Sequence, residues 1–201
     1  RLLSRGLGDV YKRQGQNIHV AFKYSGDFNH EFFIDDFKVI NYTPTRHYVD
    51  QNASGANDGT SWSDAFTNLN VALDSADHGD EIWVASGIFS PDRDVNGNQT
   101  PTDTRAFEFT IDKDLSIYGG FSGTESQLSE RDWISHTTIL SGDIGVANDS
   151  TDNAYSIVSS YNVSFELNGF TIQNGNATGV NNAPERQRLG AGIFVGNSTC
   201  L

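Results

Sequence analysis

Short runs of β-branched and aromatic residues, each closed by Gly or Asn, recur along this chain and restrict what it can fold into. The clearest are GFTIQNGNA at 169–177 and GAGIFVGN at 190–197. Comparable runs lie at 81–89, 107–111, 115–121, 137–140 and 155–158. Their centres fall about 21 to 22 residues apart, as Ile117 to Ile139 and Ile172 to Ile193 do, the scale of short strands stacked coil upon coil in a solenoid. The expected class is all-β. Such an architecture hosts many functions and names none.

Composition narrows the possibilities further. Among 201 residues there are 20 Gly, 4 Pro and no Met, and 36% of the chain is hydrophobic, as suits a loop-rich β protein with a core. No apolar run approaches the roughly 20 residues of a membrane-spanning helix. The 26 acidic side chains outnumber the 13 basic ones, for a net charge of -13. That balance argues against nucleic acid and anionic membrane, which need a basic footprint, and is compatible with divalent cations and glycans. Cys200 is the single cysteine, so no disulfide forms within the chain, as in secreted bacterial proteins that do without them.

The organisation divides into four stretches. Residues 1–14 lack an initiator Met and a secretory pattern and resemble translated sequencing-adapter read-through; they are set aside as non-native. Within 15–42, Ile18, Val20 and Phe22 alternate with polar neighbours, and Phe32, Ile34, Phe37 and Val39 follow a turn at Ser25, Gly26 and Asp27. Two antiparallel strands are expected, too few for a core alone, so they read as the end of a β-sandwich whose beginning is missing. Residues 43–46 are the linker, and 47–201 carry the strand runs, with further coils expected beyond 201. One amphipathic helix is expected over 64–76. Phe66, Leu69, Leu73 and Ala76 form its stripe, with Ser63 as N-cap and Gly79 as stop. It would cover the open end of the stack.

Several phrases in 47–201 resemble a bacterial family. They are HYVD at 47–50, NDGTSWSDAF at 57–66, GDEIWVA at 79–85, IYGGFSGTE at 117–125, Arg131-Asp132, TILSGD at 138–143 and the GFTI phrase. In this order they are similar to surface proteins of the right-handed parallel β-helix, pectin-lyase-like superfold, of the polymorphic outer-membrane and choice-of-anchor type. AFKYSG at 21–26 and FIDDFKV at 33–39 resemble the closing strands of a cleaved-adhesin or MAM-like jelly-roll module. The resemblance implies secretion, display at the cell surface and adhesion, with polysaccharide or cell-surface glycan as partner. It implies no particular reaction.

Candidate chemistry is sparse. Asp92, Asp94, Asn96 and Asn98, with Gly97 and Asp103, place oxygens at spacings that wrap one hard cation, so calcium is the expected cofactor. A solvated polar insertion is the competing reading, since position 12 is Asp instead of Glu and no helix precedes the loop. Asp143, Asp149 and Asp152, with Asn148 and Asn153, form a looser acidic group. No catalytic residue is assigned. Lys113 sits in a turn-like Asp-Lys-Asp, the histidines at 47, 78 and 136 are scattered, and no nucleophile elbow, phosphate loop or zinc spacing occurs. Trp62, Trp133, Tyr118 and Tyr161 either stack on sugar rings or pin loops to the core. The expected function is therefore non-enzymatic adhesion or glycan binding. A polysaccharide lyase or glycoside hydrolase with catalytic coils beyond 201 is the alternative, and a structural stalk is a third.

Overall fold

The computed structural model describes residues 43–180 and 183–200. The chain divides between Thr43 and Pro44 into two units, and the second carries every element below. The strands expected in 15–42 and the set-aside 1–14 lie outside the described residues.

Among the described residues, eleven strands and two short α-helices follow one another in this unit. They are β1 (Arg46–Val49), α1 (Leu69–Ser75), β2 (Glu81–Ala85), β3 (Gly87–Phe89), β4 (Phe109–Ile111), β5 (Ser116–Phe121), β6 (Thr138–Ser141), β7 (Val158–Tyr161), β8 (Ser164–Asn168), β9 (Phe170–Gln173), α2 (Glu185–Leu189), β10 (Ile193–Gly196) and β11 (Thr199–Cys200). The strands make three sheets, ordered β1-β2-β5-β8-β11, β3-β6-β9 and β10-β7-β4. Every pairing is parallel. From β2 onward the chain visits the three sheets in strict rotation, so each strand lies against the one laid down a circuit earlier. The regular structure of the unit is mostly strand, and its sheets are parallel.

The circuit is longer than the sequence spacing suggested. Glu81 pairs with Ser116, 35 positions on, and Ser116 pairs with Glu166, 50 positions on. Thr138 pairs with Phe170 after 32 positions, and Gly87 with Thr138 after 51. The 21 to 22 residue interval is the step from one sheet to the next: Ile117 is in β5 and Ile139 in β6. Loops of unequal length between sheets conceal the true period.

Side-chain alternation sorts each strand into an inner and an outer row. Ile82 and Val84 of β2, Ile117 of β5 and Phe165 of β8 point to a common core with Phe89, Phe109, Ile111, Leu140 and Val158. Each fully buried Val, Leu, Ile or Phe stabilises by about 1.5–3 kcal/mol. The outer row of the five-stranded sheet is aromatic: Tyr48 pairs with Trp83, Trp83 with Tyr118, and Tyr118 with Asn168. Trp83 and Phe121 stack at 4.5 Å between ring centres, and Trp62 packs beside them. This second cluster lies on the opposite face of the sheet from the first core.

The helix is shorter than its apolar stripe implied. Asn68 is the N-cap, its side chain accepting from the Asn70 N–H at 2.8 Å. Ser63 and Asp64 belong to the turn before it, where Asp64 Oδ1 accepts from the Ala56 N–H. Phe66 instead bridges to Val49 as extended backbone. Leu69, Ala72 and Leu73 of α1 join the first core, and the helix packs on β1 and β4, the edge strands of their sheets. Lys113 donates from Nζ to the Leu73 and Asp74 carbonyls, both at 3.0 Å, so this cation satisfies the helix C-terminus.

Candidate functional site

The aromatic residues separate clearly. Trp62 is pinned by its ring contacts and donates its indole N–H to the Glu125 carbonyl at 2.8 Å. Tyr118 is buried, and its hydroxyl donates to Glu166 Oε2 at 2.9 Å. Burial, with this bond to Glu166, holds the Tyr118 phenol above its ordinary pKa. Trp133 remains 54% exposed and Tyr161 53% exposed. Of these two, Trp133 lies on the better-built surface.

Trp133 sits in the long connection between β5 and β6, which is ordered by its own carboxylates. Glu125 accepts from the backbone N–H groups of Ser122, Gly123 and Thr124. Its burial pushes the carboxyl up, but the bonds from Ser122 and Thr124 outweigh that and leave it below its ordinary pKa. Glu130 accepts from the Gln127 and Ser126 N–H groups, which lower its pKa. Asp132 accepts from the Ser135 hydroxyl and from the N–H groups of Ser135 and Ile134, with the same effect. The Asp132 N–H in turn donates to the Gly120 carbonyl at 2.8 Å, tying the connection back to β5. Gly120 has φ +94°, and a Cβ there would come within 2.8 Å of Trp133 backbone and Cβ atoms. Only glycine lets the connection lie this close.

Beside Trp133 stands Arg131. Its guanidinium carbon lies 5.1 Å from the Trp133 ring centre and 5.0 Å from that of Tyr118, within cation–π range of both. Nη1 donates to the Asn168 carbonyl at 3.3 Å and the Gly119 carbonyl at 3.4 Å, and Nη2 to Asn168 Oδ1 at 2.9 Å. Gln127, Leu128, Ser129, Arg131 and Trp133 line an open shelf of about 600 Å³. It combines a flat indole face, an aliphatic side chain and polar donors.

A second depression lies outside the β10-β7-β4 sheet, about 160 Å³, with Val95, Thr110, Tyr161, Arg186 and Phe194 in its lining. Two of its lining residues hold Glu108, 3% exposed, which accepts from Ser159 Oγ at 2.7 Å and pairs with Arg186 at 3.2 Å. Burial holds this carboxyl above its ordinary pKa, against the Ser159 bond and the Arg186 charge. Glu108 is not among the groups lining the depression.

The five residues expected to hold calcium are dispersed among local partners. Asp92 pairs with Arg93 at 2.8 Å and accepts from Asn68 Nδ2 at 2.7 Å. Asp94 accepts from the Asn96 and Asn98 N–H groups, an Asx-type turn, and Asn98 does the same for Thr100. Asp103 accepts from the Arg105 N–H and the Tyr155 hydroxyl. Asn96 is exposed. Among the described residues no three His, Cys, Asp or Glu side chains gather as a metal would require. In the looser group, Asp143 accepts from Asn148 N–H, Asp149 from Thr151 and Asp152 from Val146 N–H. Asp152 Oδ1 and Asn153 Oδ1 are buried without a hydrogen-bond partner.

Spacing alone could not have found Arg131, whose partner Asn168 lies 37 positions away. No family model, curated protein or solved structure matches the chain.

Proposed function

We propose that residues 47–201 are coils of a right-handed parallel β-helix, part of a secreted or cell-surface protein that binds glycans without cleaving them. The rotation of the chain through three parallel sheets, with α1 against the edge strands, supports the β-helix reading. The motif order from HYVD to GFTI supports the likeness to pectin-lyase-like surface proteins. The observation that carries the binding reading is Trp133, an exposed indole held by an ordered connection beside Arg131. Sugar rings present CH faces that pack on such a surface, while their hydroxyls meet the polar rim.

Titration of neutral oligosaccharides into the intact chain, followed by indole fluorescence and calorimetry, tests the reading. Saturable binding lost in Trp133→Ala is the expected result, with no unsaturated sugar ends released from polyuronates. Binding unchanged in Trp133→Ala, or no binding to any glycan, overturns it. Release of unsaturated ends would favour a polysaccharide lyase instead.

A further inference from the structure

Arg131 carries a feature that glycan stacking alone does not require. Its Nη1 and Nη2 donate towards Asn168 and Gly119, which occupies the end of the guanidinium. The Nε–H has no acceptor among the described residues, and Nη2, with two hydrogens, makes one bond there. Among the described residues no carboxylate lies within ion-pair distance of it either, whereas Arg46, Arg93 and Arg186 each pair with one. Glu166 is engaged by Tyr118 and Asn168.

Comparison with two other arginines sharpens the point. Arg46 also stacks on the aromatic row, 3.6 Å over Trp83, but its Nε is held by Glu81. Arg105 has no carboxylate partner among the described residues, yet its Nε and Nη2 donate to Asn153, Asn176 and Thr178. Among the described arginines Arg131 alone leaves its Nε–H without an acceptor, and it lines a depression beside an exposed indole. Two parallel N–H groups match a carboxylate, and such charge-assisted pairs are about twice as strong as neutral ones.

We infer that the shelf selects a sugar bearing a carboxylate, the ring lying on Trp133 and the acid on the Nε–Nη2 edge of Arg131. The inference rests on the glycan-binding reading above and names the substrate class for that site. The net charge of -13 repels a dense polyanion, so the favoured ligand carries an isolated acidic sugar at or near its end.

The test compares lactose with 3′-sialyllactose, and methyl glucoside with methyl glucuronide, by calorimetry on the intact chain. The acidic member of each pair should bind at least about tenfold tighter. Arg131→Gln should abolish that preference, while Arg131→Lys should keep part of it. Trp133→Ala should weaken both members. Should Arg131→Gln lose its fold, salt titration of the intact chain decides. Affinity for the acidic sugar must fall with ionic strength while the neutral one holds, and equal salt response overturns the inference. Equal affinity for acidic and neutral sugars, both lost in Trp133→Ala, overturns the carboxylate preference and leaves glycan binding intact. No binding of either overturns both. An acidic peptide without sugar that binds as tightly, unaffected by Trp133→Ala, also overturns it.

Discussion

At the scale of single residues, what decides each role is the partner that folding supplies. Asp92, Asp94 and Asp103 have the spacing of a calcium loop, but each is turned to a different donor. Binding an ion there would require Asp92 to leave Arg93, whose attraction helps hold its carboxyl below the ordinary range against the opposing push of burial. The prediction from spacing is a saturable calorimetric heat with calcium in the intact chain that disappears in Asp94→Ala. Loss in Asp152→Asn instead would move the ion to the loop holding the orphaned oxygens of Asp152 and Asn153. No heat in the intact chain would end the calcium reading. Trp133 was legible as an aromatic with two possible roles. Its neighbour Arg131 was not, because the contact joins the β5–β6 connection to the end of β8.

For the elements, alternation and composition located most strands, since β-branched runs between Gly and Asn have few other uses. The helix was misjudged at its start for a physical reason. Phe66 continues the 3.6-residue stripe of Leu69 and Leu73, yet its backbone is claimed by Val49. Asn68 then sets the boundary, because its amide oxygen caps Asn70 and its Nδ2 donates to Asp92. Asn68→Ala removes both bonds and should destabilise by about 1–2 kcal/mol, read as a lower midpoint in urea denaturation. Asn68→Asp keeps the cap but sets a charge against Asp92. A neutral result for Asn68→Ala would mean that α1 contributes little to holding the β1 and β4 edges.

On the scale of the whole molecule, the period was hidden because the interval visible in the sequence is the step from one sheet to the next, not the return to the same sheet. The pH response belongs to this scale too. Asp132, Glu130, Asp64 and Asp149 have lowered pKa values through local hydrogen bonds, so their contribution is present above the ordinary carboxylate range and is lost as pH falls. Glu108 acts in the opposite sense. Its raised value means that its contribution is full below the ordinary 4.5 and fades as pH rises through the raised one. Arg186, Ser159 and Thr110 oppose that rise, and Asp94 adds to it. Between pH 4.5 and neutrality, the melting temperature of the intact chain should therefore fall relative to that of Glu108→Gln. A constant difference across that window would show that Glu108 keeps its ordinary titration when folded. The unequal circuits carry a last consequence. Register in the β3-β6-β9 sheet is kept whether the paired residues lie 32 or 51 positions apart, so the lengths of the connections are decoupled from the ladder. The β5–β6 connection could then be exchanged for another of different length while the rungs stay in place, and recognition could diversify on an unchanged frame.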